Sequence, residues 1–572
     1  MKKIISILSI STLFILLMPS CADKLDITPQ GSIDKTALQN ETGIELLVTS
    51  AYASMTEGEG RAEGGALNNW VLSSMPGGDC NKGSDPGDGM PLSLNEFEQY
   101  QVLTTNVSVD WKWVLNTRSI KRINNAINLI NSVEDAGTTL KNKRLGEMKF
   151  LRGLYYFEQR RVFKNVPFID ETIEAAENNP KVKNNVEILP FIEADLLEAI
   201  ELLPDKQDNP GRANKWAARA LLSKVYMFGE KFSEAVPLLK DIIDNGVNSK
   251  GVKYQLLNNY SDNFNIATEN NTETVFAIQH STDAVQSNAH VGMQRATLYG
   301  TAMYGAGWGF CQPSYCLVNS FQVDADGLPR LDGTYMDVII PGTDIRSASD
   351  ANDADRTIPV DPRLDHTVTR RGVPFYDWGM PKANWVRNFS NGGPFMPRKN
   401  LHRKSDTFYS TRGSALNWNL IRFADVLLLY AEALAETDRY EEAREYVNMI
   451  RARAANDLVM FEGQPAANYL VGLYPASYFD TKGEALQAIR FENKLEFGME
   501  GHRFFDLQRW GYEIAKAEID FYVNNEKEYI SKFATASPFA EFMMYYPIPQ
   551  TQIMTLGNDE NGEPWLIQNS GY

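Results

Sequence analysis

The stretch Ile489-Arg-Phe-Glu-Asn-Lys-Leu-Glu-Phe-Gly-Met-Glu-Gly-His-Arg-Phe-Phe-Asp-Leu-Gln-Arg-Trp-Gly511 decides the fold of this chain. Apolar residues recur at helical spacing, which predicts one helix up to the Gly498 region and a second helix after Gly501. Charges of both signs alternate among the aromatic residues, and an unpaired buried charge costs several kcal/mol. We therefore expect a structural ion-pair corner. Its members are Glu492, Glu496, Glu500, Arg503, Asp506 and Arg509.

The carboxylates of this corner are also the strongest catalytic candidates. Glycosidases use two carboxylates roughly 5 to 10 Å apart, and helical spacing places Glu492 and Glu496 within that range. One of the two must stay protonated, but the nearby arginines favour the ionised state, so we favour the structural interpretation. The chain has no Gly-x-Ser-x-Gly elbow, no His-Glu-x-x-His and no phosphate-binding glycine loop. We expect no catalytic residue, no metal and no cofactor, and we predict a protein that is not an enzyme.

Several residues near the C-terminus resemble the signature of the SusD/RagB family, the nutrient-capturing surface lipoproteins of Bacteroidota. The resemblance lies in Glu492, Glu496, Glu500-Gly501-x-Arg503, Asp506 and Arg509-Trp510-Gly511. Asn493 departs from the family pattern, which often has Arg after the first Glu. The terminal pieces of the family are similar to Tyr546-Pro547-Ile548-Pro549 and Gln568-Asn569-Ser570-Gly571-Tyr572, with Ser570 in place of Pro. The resemblance extends from Cys21 to Tyr572.

This resemblance implies a mostly α fold, a tetratricopeptide-like helical-repeat scaffold with large loop-rich insertions that carry short strands. It also implies a lipoprotein that binds glycan at the cell surface and delivers it to a SusC-like TonB-dependent outer-membrane transporter. Two alternatives stay open: a peptide-binding importer lipoprotein of the same fold and, from another class, a surface glycosidase. A formal net charge of -17 disfavours nucleic acid and anionic lipid as partners.

The amino terminus has the pattern of a lipoprotein signal peptide. Met1-Lys2-Lys3 precedes an apolar run over residues 4–18, which is too short to span a bilayer permanently. Cys21 then follows a small residue, as at a lipoprotein cleavage site. We expect removal of residues 1–20 and lipidation of Cys21, with ordinary cleavage as the alternative. The resemblance implies anchorage in the outer membrane with exposure at the cell surface.

Two segments with the same pattern indicate helical repeats. Lys231-Phe-Ser-Glu-Ala235 and Arg439-Tyr-Glu-Glu-Ala443 each follow a helix rich in Leu and Ala, and place a small Ala where two helices approach closely. Their separation exceeds one repeat, so the array must be interrupted. The predicted division is a lipoprotein signal peptide at 1–20, an N-terminal segment with a ligand loop at 21–110, helical repeats at 111–245, a loop-rich insertion at 246–417, and C-terminal repeats with the signature at 418–572.

Periodicity places individual elements within this division. Helices are predicted at 111–133, 145–163, 190–203 and 214–228. Short apolar runs at 274–278 and 338–340 predict strands in the insertion. Residues 56–95 are rich in Gly, Asn, Asp, Ser and Pro, and they predict an irregular surface loop of the kind that carries binding residues.

Aromatic residues in the Gly- and Asn-rich zones are the ligand-binding candidates, because an aromatic face stacks on the apolar face of a sugar ring. Trp308 is the most suggestive, since it lies near Tyr304 in a run of glycines that cannot shield a large ring. Each aromatic residue taken singly packs in a core more often than it binds. The predicted ligand-binding residues are Trp70, Asp79, Asn81, Tyr304, Trp308, Trp378, Trp385 and Arg387.

Three cysteines follow Cys21 in the chain, at Cys80, Cys311 and Cys316. The sequence leaves two alternatives, a local disulfide across Cys311-x4-Cys316 or plain buried thiols. None of the five histidines lies at metal-ligand spacing from these cysteines, so zinc is not expected.

Overall fold

The computed structural model describes residues 35–56, 67–89, 93–173, 180–281, 308–340, 356–399, 401, 403–406 and 415–572. Cys21, Tyr304 and the predicted signal at 1–20 lie outside the described residues. Within the ranges given above, no helix is both long enough and apolar enough to cross a bilayer.

Helices dominate the architecture and are numbered here in chain order. The N-terminal helices are α1 (Glu41–Ala53), α2 (Ser93–Glu98), α3 (Val107–Ser132), α4 (Thr138–Phe163), α5 (Leu189–Leu202), α6 (Lys215–Phe228) and α7 (Phe232–Asn245). Between them and the C-terminal group lie the short helices α8 (Tyr315–Ser320), α9 (Leu364–Thr367) and α10 (Phe389–Gly392). The C-terminal helices are α11 (Phe423–Glu436), α12 (Tyr440–Ala454), α13 (Lys482–Phe497), α14 (Arg503–Trp510), α15 (Tyr512–Glu526) and α16 (Gln550–Leu556).

The strands are short and pair in twos. The antiparallel pairs are β1 (Cys80–Gly83) with β3 (Phe310–Pro313), β2 (Thr274–Ile278) with β6 (Trp418–Arg422), β4 (Val368–Thr369) with β5 (Met396–Pro397), and β7 (Met460–Phe461) with β8 (Gln464–Pro465). The expected class, mostly helical with short strands, is therefore confirmed. Strand β2 has the predicted bounds.

The four helices predicted from periodicity are present as α3, α4, α5 and α6, and side-chain caps explain where two of them, α3 and α6, begin. Helix α3 starts at Val107, earlier than expected, because the Asn106 side chain accepts hydrogen bonds from the Ser108 and Val109 N–H groups. Helix α6 starts directly after Asn214, whose side chain caps it in the same way. Hydrogen bonds from capping side chains thus fix helix starts that the spacing of apolar residues does not determine.

The two predicted repeat units form packed helix pairs. Helix α6 packs on α7 and α11 packs on α12, and the small residue in each pair, Ala235 or Ala443, is fully buried. Helix α7 also packs against α11. The helical array therefore continues across the insertion, and β2 pairs with β6 where the chain leaves and re-enters the array.

Residues 67–83 of the predicted 56–95 surface loop lie inside the fold, which corrects the sequence prediction for this part, while residues 85–89 are half-buried or exposed as predicted. Residues 67–83 are almost all buried, and four of them form β1. A Cβ at Gly77 would lie 2.7 Å from the Phe504 nitrogen and 2.8 Å from the Arg503 Cβ. Glycine here allows the backbone to pack directly against α14.

The run 338–340 is not a strand, which is a second correction. Side chains bond its backbone groups: the Ile340 N–H donates to Asn319 Oδ1, and the Val338 carbonyl accepts from Gln322 Nε2. Side-chain partners therefore replace the strand ladder that the apolar run predicts.

A cluster of buried charges joins the C-terminal signature to the insertion. We call it the buried charge cluster, and its members are Glu273, Asp361, Arg363, Lys399, Arg422, Arg451, Arg453, Glu492, Glu496 and Glu500. Every member is 5% exposed or less. Five acidic and five basic residues make the cluster neutral in formal charge, which compensates for their removal from water.

Arg422 lies at the centre of this cluster. Its Nη1 donates to Glu273 Oε1 at 2.7 Å and to Glu496 Oε1 at 2.9 Å. Its Nε donates to Glu500 Oε2 at 2.9 Å. One guanidinium therefore joins three carboxylates from two separate parts of the chain, Glu273 before β2 and the pair Glu496 and Glu500 at the end of α13.

The remaining members of the expected ion-pair corner lie apart from this cluster. Arg503 pairs with Glu518 at 2.7 Å, while Arg509 pairs with Asp506 at 3.0 Å and with Glu432 at 2.6 Å. Arginines do neutralise Glu492 and Glu496, but they are not the arginines nearby in the sequence. The pairing arginines come from β6, α12 and the insertion.

Cys80, Cys311 and Cys316 are free thiols, and all are buried. The local disulfide across Cys311 and Cys316 is therefore absent, which leaves the alternative of buried thiols. Burial raises the pKa of the Cys80 and Cys316 thiols well above the ordinary value. We expect these two thiols to be unreactive at neutral pH.

Candidate ligand-binding surface

The pairing of β1 with β3 brings the two Gly-rich zones together. Asn81 lies opposite Gln312 in this pair. The Ser84 N–H donates to the Gly309 carbonyl at 2.7 Å, and the Ser84 hydroxyl donates to the Trp308 carbonyl. The loop that follows β1 therefore lies beside Trp308.

Trp308 presents its indole ring at the surface of this junction. The residue is 42% exposed. The Arg387 guanidinium lies over the ring, with its Cζ 5.5 Å from the ring centroid, a cation–π arrangement. Gly309 adopts a φ of +74°, which a residue with a side chain tolerates poorly, where the chain turns from Trp308 into β3.

Two aspartates hold Arg387 in this position. Its Nη2 lies 2.8 Å from Asp85 Oδ2, and its Nη1 lies 2.7 Å from Asp88 Oδ2. The Asn388 amide donates to Asp85 Oδ1 at 3.1 Å. Because both terminal nitrogens are held, the guanidinium is fixed against the indole. We call Trp308, Arg387, Asp85, Asp88 and Asn388 the Trp308 platform.

Helix α10 anchors the Trp308 platform on β1. The Asn391 amide donates to the Gly83 carbonyl at 2.8 Å and to the Ser84 carbonyl at 2.9 Å. A Cβ at Gly392 would lie 2.6 Å from the Gly83 Cα, so the approach requires glycine. The platform is therefore built from three segments that are far apart in the sequence.

The Trp308 platform combines an apolar face with hydrogen-bonding groups. The indole offers a flat surface, and Asp85, whose side chain is 46% exposed, offers carboxylate oxygens. Arg387 and Asn388 add N–H donors at its edge. One guanidinium and two carboxylates leave a formal charge of minus one, which favours a neutral hydroxylated ligand over a polyanion.

Four predicted ligand-binding residues are buried, which corrects their assignment to the surface. Trp70 is 2% exposed in a π-helical turn (Trp70–Ser74), and Trp385 is 5% exposed in a small core with Phe375. Asp79 and Asn81 are 1% and 0% exposed. A ligand at the surface does not reach these side chains. Their Gly-rich surroundings reflect close packing of the backbone.

Asp79 and Asn81 instead hold β1 against the C-terminal helices. Asp79 Oδ2 accepts hydrogen bonds from the Ser74 hydroxyl at 3.0 Å and from the Met499 N–H at 3.1 Å. The Asn81 amide donates to Glu526 Oε2 at 3.0 Å. Both residues therefore fix β1, the strand that precedes Asp85 and Asp88, against the C-terminal helices.

The other predicted residues have mixed positions. Trp378 is half-buried and packs on the small core that contains Phe375 and Trp385. Tyr304 lies outside the described residues. Ligand contacts by Trp308, Arg387 and Trp378 stay predictions.

The structure adds three polar residues that sequence reasoning missed, Asp85, Asp88 and Asn388. The signal for the first two was the turn-forming Asp85-Pro-Gly-Asp88 in the same Gly-rich loop that suggested Asp79. Asn388 follows Arg387 directly, but no local pattern indicates that it faces Asp85 across the fold.

The burial of Asp79 makes stability depend on pH. Burial raises the pKa of Asp79 to about 6, although the Met499 N–H and the charge of Arg503 oppose it. The folded state then binds this proton more tightly than the unfolded state, so the contribution of Asp79 to stability falls as pH rises from about 4 to about 6. We expect Asp79→Asn to raise the free energy of unfolding at neutral pH by up to about 3 kcal/mol, with no gain below about pH 4.

Urea denaturation of Asp79→Asn at several pH values measures this effect. Asp244→Asn is the control, because Asp244 lies on α7 with its side chain 47% exposed. A variant that is no more stable than the parent at neutral pH contradicts the argument.

Two family models match the chain. The model described as SusD family matches residues 272–572. The model described as starch-binding associating with outer membrane matches residues 39–227. The first match includes Trp308, Arg387 and the C-terminal signature.

Individual relatives agree with these matches. The chain is 24% identical to SusD-like protein P25 of Formosa agariphila over 524 residues. The aligned region covers 86% of this chain and 87% of that protein. A solved SusD homolog of Bacteroides thetaiotaomicron has a TM-score of 0.68 and 20% identity, covering 94% of this chain and 99% of that one. Surface glycan-binding protein A of Bacteroides thetaiotaomicron, solved in complex with laminarihexaose, has a TM-score of 0.62 and 18% identity, covering 92% and 99%. The solved structures share the fold of this chain.

Proposed function

The chain belongs to the SusD family, and from that premise we propose that it is a glycan-binding lipoprotein of the cell surface. It captures an oligosaccharide or polysaccharide and delivers it to a SusC-like TonB-dependent outer-membrane transporter. The family description of the match at residues 39–227 supports association with the outer membrane. The observation that carries the proposal is the exposed indole of Trp308, held beside a fixed guanidinium.

In this proposal a sugar ring stacks on the Trp308 indole, and its hydroxyls bond to Asp85, Asn388 and Arg387. The ion pairs of Arg387 already fix the polar groups, so binding orders few side chains. The laminarihexaose complex of the Bacteroides thetaiotaomicron relative makes a neutral glucan the first candidate. The low charge of the platform supports a ligand of this kind.

A surface glycosidase is less well supported. Glu492 and Glu496 belong to the buried charge cluster and are 0% exposed. Burial alone would raise the pKa of Glu496, but the guanidiniums of Arg453, Arg422 and Arg363 lower it well below the ordinary value. A carboxylate that stays ionised does not act as a general acid, and a buried one does not reach a polysaccharide.

A retention experiment tests the proposed function. The purified chain is incubated with plant, fungal, microbial and host polysaccharides, and with a protein digest. Glycan retained at full length supports the proposal. Shortened glycan indicates the glycosidase, and retention of peptides alone indicates the peptide importer.

An exposed apolar patch supports a protein partner. Gln552 Nε2 donates to Asp110 Oδ1 at 2.9 Å, which holds α16 against the start of α3. Large apolar side chains on and beside these two helices are 36% to 73% exposed, namely Leu103, Val107, Trp111 and Met554. Exposed apolar patches commonly mark protein contacts. We assign this patch to the proposed transporter.

Met554→Asp is expected to reduce copurification of the transporter with the chain, because a carboxylate in an apolar contact is costly. Glycan retention should be unchanged. Met449→Asp on α12 is the control, since Met449 is also exposed, at 45%. Equal copurification by the two variants would remove the patch from the proposal.

Cys21→Ala is expected to release the chain from membranes, because acyl chains are the only apolar anchor in the proposal. Fractionation of cells that lack the transporter measures this effect. A variant that still fractionates with the outer membrane in those cells contradicts lipidation as the means of attachment.

A further inference from the structure

The turn at residues 85–88 closes around the side-chain nitrogen of Lys82. Lys82 lies in β1 and is 0% exposed. Its Nζ donates to the backbone carbonyls of Asp85 at 3.1 Å, Pro86 at 3.1 Å and Asp88 at 3.0 Å. An ammonium group has three donors and no acceptor, so the turn satisfies all of its donors. We call the ammonium and these three carbonyls the Lys82 cage.

The Lys82 cage needs a positive charge at its centre. Carbonyl oxygens that point at one place repel one another unless a cation lies between them. A neutral side chain at position 82 would remove both this charge and the donor that the three oxygens share. The Lys82 ammonium therefore fixes the path of the turn.

The same turn holds Arg387 through its side chains. Asp88 Oδ2 accepts from the Ser84 hydroxyl at 2.6 Å and from the Asp85 N–H at 3.2 Å. The two aspartates also pair with the guanidinium of Arg387, at 2.7 and 2.8 Å. Lys82 thus binds the backbone of the turn, while Arg387 binds its carboxylates. A shift of this backbone moves the guanidinium that lies over the indole of the Trp308 platform.

Charges of both signs surround the Lys82 cage. Glu98 of α2 accepts from the Lys82 N–H at 2.7 Å, and its other oxygen pairs with Lys532 at 2.6 Å. Burial lowers the pKa of the Lys82 ammonium to about 8, although the Glu98 charge opposes the shift. The Lys532 charge adds to the shift, and the charges of Asp88 and Asp85 oppose it. Lys82 therefore changes from an ammonium to a neutral amine with fewer donors as pH rises from about 7 to about 9.

We propose that Lys82 is the positioning residue of the Trp308 platform, and that its ammonium sets the geometry in which the platform accepts glycan. This inference rests on the glycan capture proposed above and adds a means by which that site is regulated. With Lys82 charged, the turn holds the platform in place before the ligand arrives, so binding orders few groups. With Lys82 neutral, the turn loosens and the affinity for glycan falls.

Calorimetry of the full chain with the retained glycan, at pH values from 7 to 9, tests this proposal. Because only the fraction with charged Lys82 binds tightly, affinity is expected to fall by about tenfold over this range. Lys82→Met removes the titrating group. Its affinity is expected to be about tenfold or more below that of the parent at pH 7, and to change little up to pH 9.

Lys112→Met is the matched control, because Lys112 is also a fully buried lysine whose pKa burial lowers to about 8. Lys112 lies on α3, where it bonds to Asn69 at 2.8 Å and pairs with Glu158 at 3.3 Å. Its replacement is expected to lower stability. The affinity at pH 7 and the fall in affinity by pH 9 should both match the parent.

Lys82→Ala tests the ammonium directly. n-Propylammonium supplies the carbons and the ammonium that this substitution removes, and it is expected to restore affinity at pH 7. Tetramethylammonium at the same ionic strength carries the charge without an N–H donor, and it is expected to restore none. Restoration by both cations alike, or by neither, overturns the proposal.

Amide hydrogen exchange over residues 84–89 reports on the turn without any ligand. The Ser84 N–H donates to the Gly309 carbonyl, and the Asp88 N–H donates to the Asp85 carbonyl. Exchange of these amides at pH 7 is expected to be faster in Lys82→Met than in the parent or in Lys112→Met.

The proposal is overturned if the parent binds glycan equally at pH 7 and pH 9, if folded Lys82→Met binds as tightly as the parent, or if exchange in the turn is unchanged. Thermal unfolding verifies that each protein is folded at each pH. The pH dependence of the parent decides the question if Lys82→Met does not fold. Absence of glycan retention by the parent at pH 7 contradicts the function proposed for the Trp308 platform, and hydrogen exchange then still decides whether Lys82 holds the turn.

Discussion

Arg422→Met is expected to lower the free energy of unfolding by about 3–5 kcal/mol, the typical effect of removing one partner from a buried ion pair. Arg422 is 1% exposed and bonds to Glu273, Glu496 and Glu500. Methionine fills much of the same volume but leaves these carboxylates with fewer donors. Chemical denaturation measures the loss.

The same variant should also be more sensitive to acid. Burial opposes the shift, but Arg422 helps to lower the pKa of Glu496 and Glu500 below the ordinary value. Carboxylates of this kind add stability above the unfolded pKa of about 4.3, and lose it as pH falls toward the folded pKa. Without Arg422 the folded pKa values rise, so acid unfolding should begin at a higher pH.

Arg439→Met is the control for both measurements. Arg439 pairs with Glu442 at the surface, where the side chains are 45% and 32% exposed. Such a pair contributes about 1 kcal/mol or less. If the Arg422 and Arg439 variants lose equal stability, the buried charge cluster does not hold the fold together.

Trp308→Ala is expected to lower glycan affinity by more than about thirtyfold, since truncation of a central aromatic anchor commonly costs 2 kcal/mol or more. The melting temperature should stay within a few degrees of the parent, because the residue is 42% exposed and its ring lies against the Arg387 guanidinium. Affinity electrophoresis or calorimetry with the retained glycan measures the effect.

Trp111→Ala is the matched control, because Trp111 is 36% exposed on α3 and belongs to the patch assigned to the transporter. It should retain glycan normally. Normal retention by Trp308→Ala would exclude the Trp308 platform as the glycan site and leave Trp378 as the described aromatic candidate.

The helical part of the fold was predictable because its information is local. The spacing of apolar residues identified α3, α4, α5 and α6. The small residues Ala235 and Ala443 indicated where two helices approach closely. The charges of the C-terminal signature also had to be paired. Their partners were not predictable, because Arg363 and Arg422 approach Glu496 only through the tertiary fold.

The candidate site was less predictable, since one compositional signal has two physical meanings. Glycine leaves Trp308 exposed, but it also lets the backbone around Trp70 and Asp79 pack too closely for any ligand to enter. Periodicity does not separate these outcomes. The contact of Arg387 with Asp85 and Asp88 depends on the pairing of β1 with β3, which no local pattern indicates.

The pairing of β2 with β6 places Ile278 opposite Trp418, so the long segment between them departs and returns at one point of the helical array. The closure entropy of such a segment grows only with the logarithm of its length. Its length can therefore change at little cost in closure entropy, while β3 and α10 within it stay bound to β1. Arg363 and Lys399 of this segment must be kept, because without them Glu492 and Glu500 retain one buried counter-charge each, Arg451 and Arg422. Other positions of the segment can then vary in sequence while the packing of the helices stays unchanged.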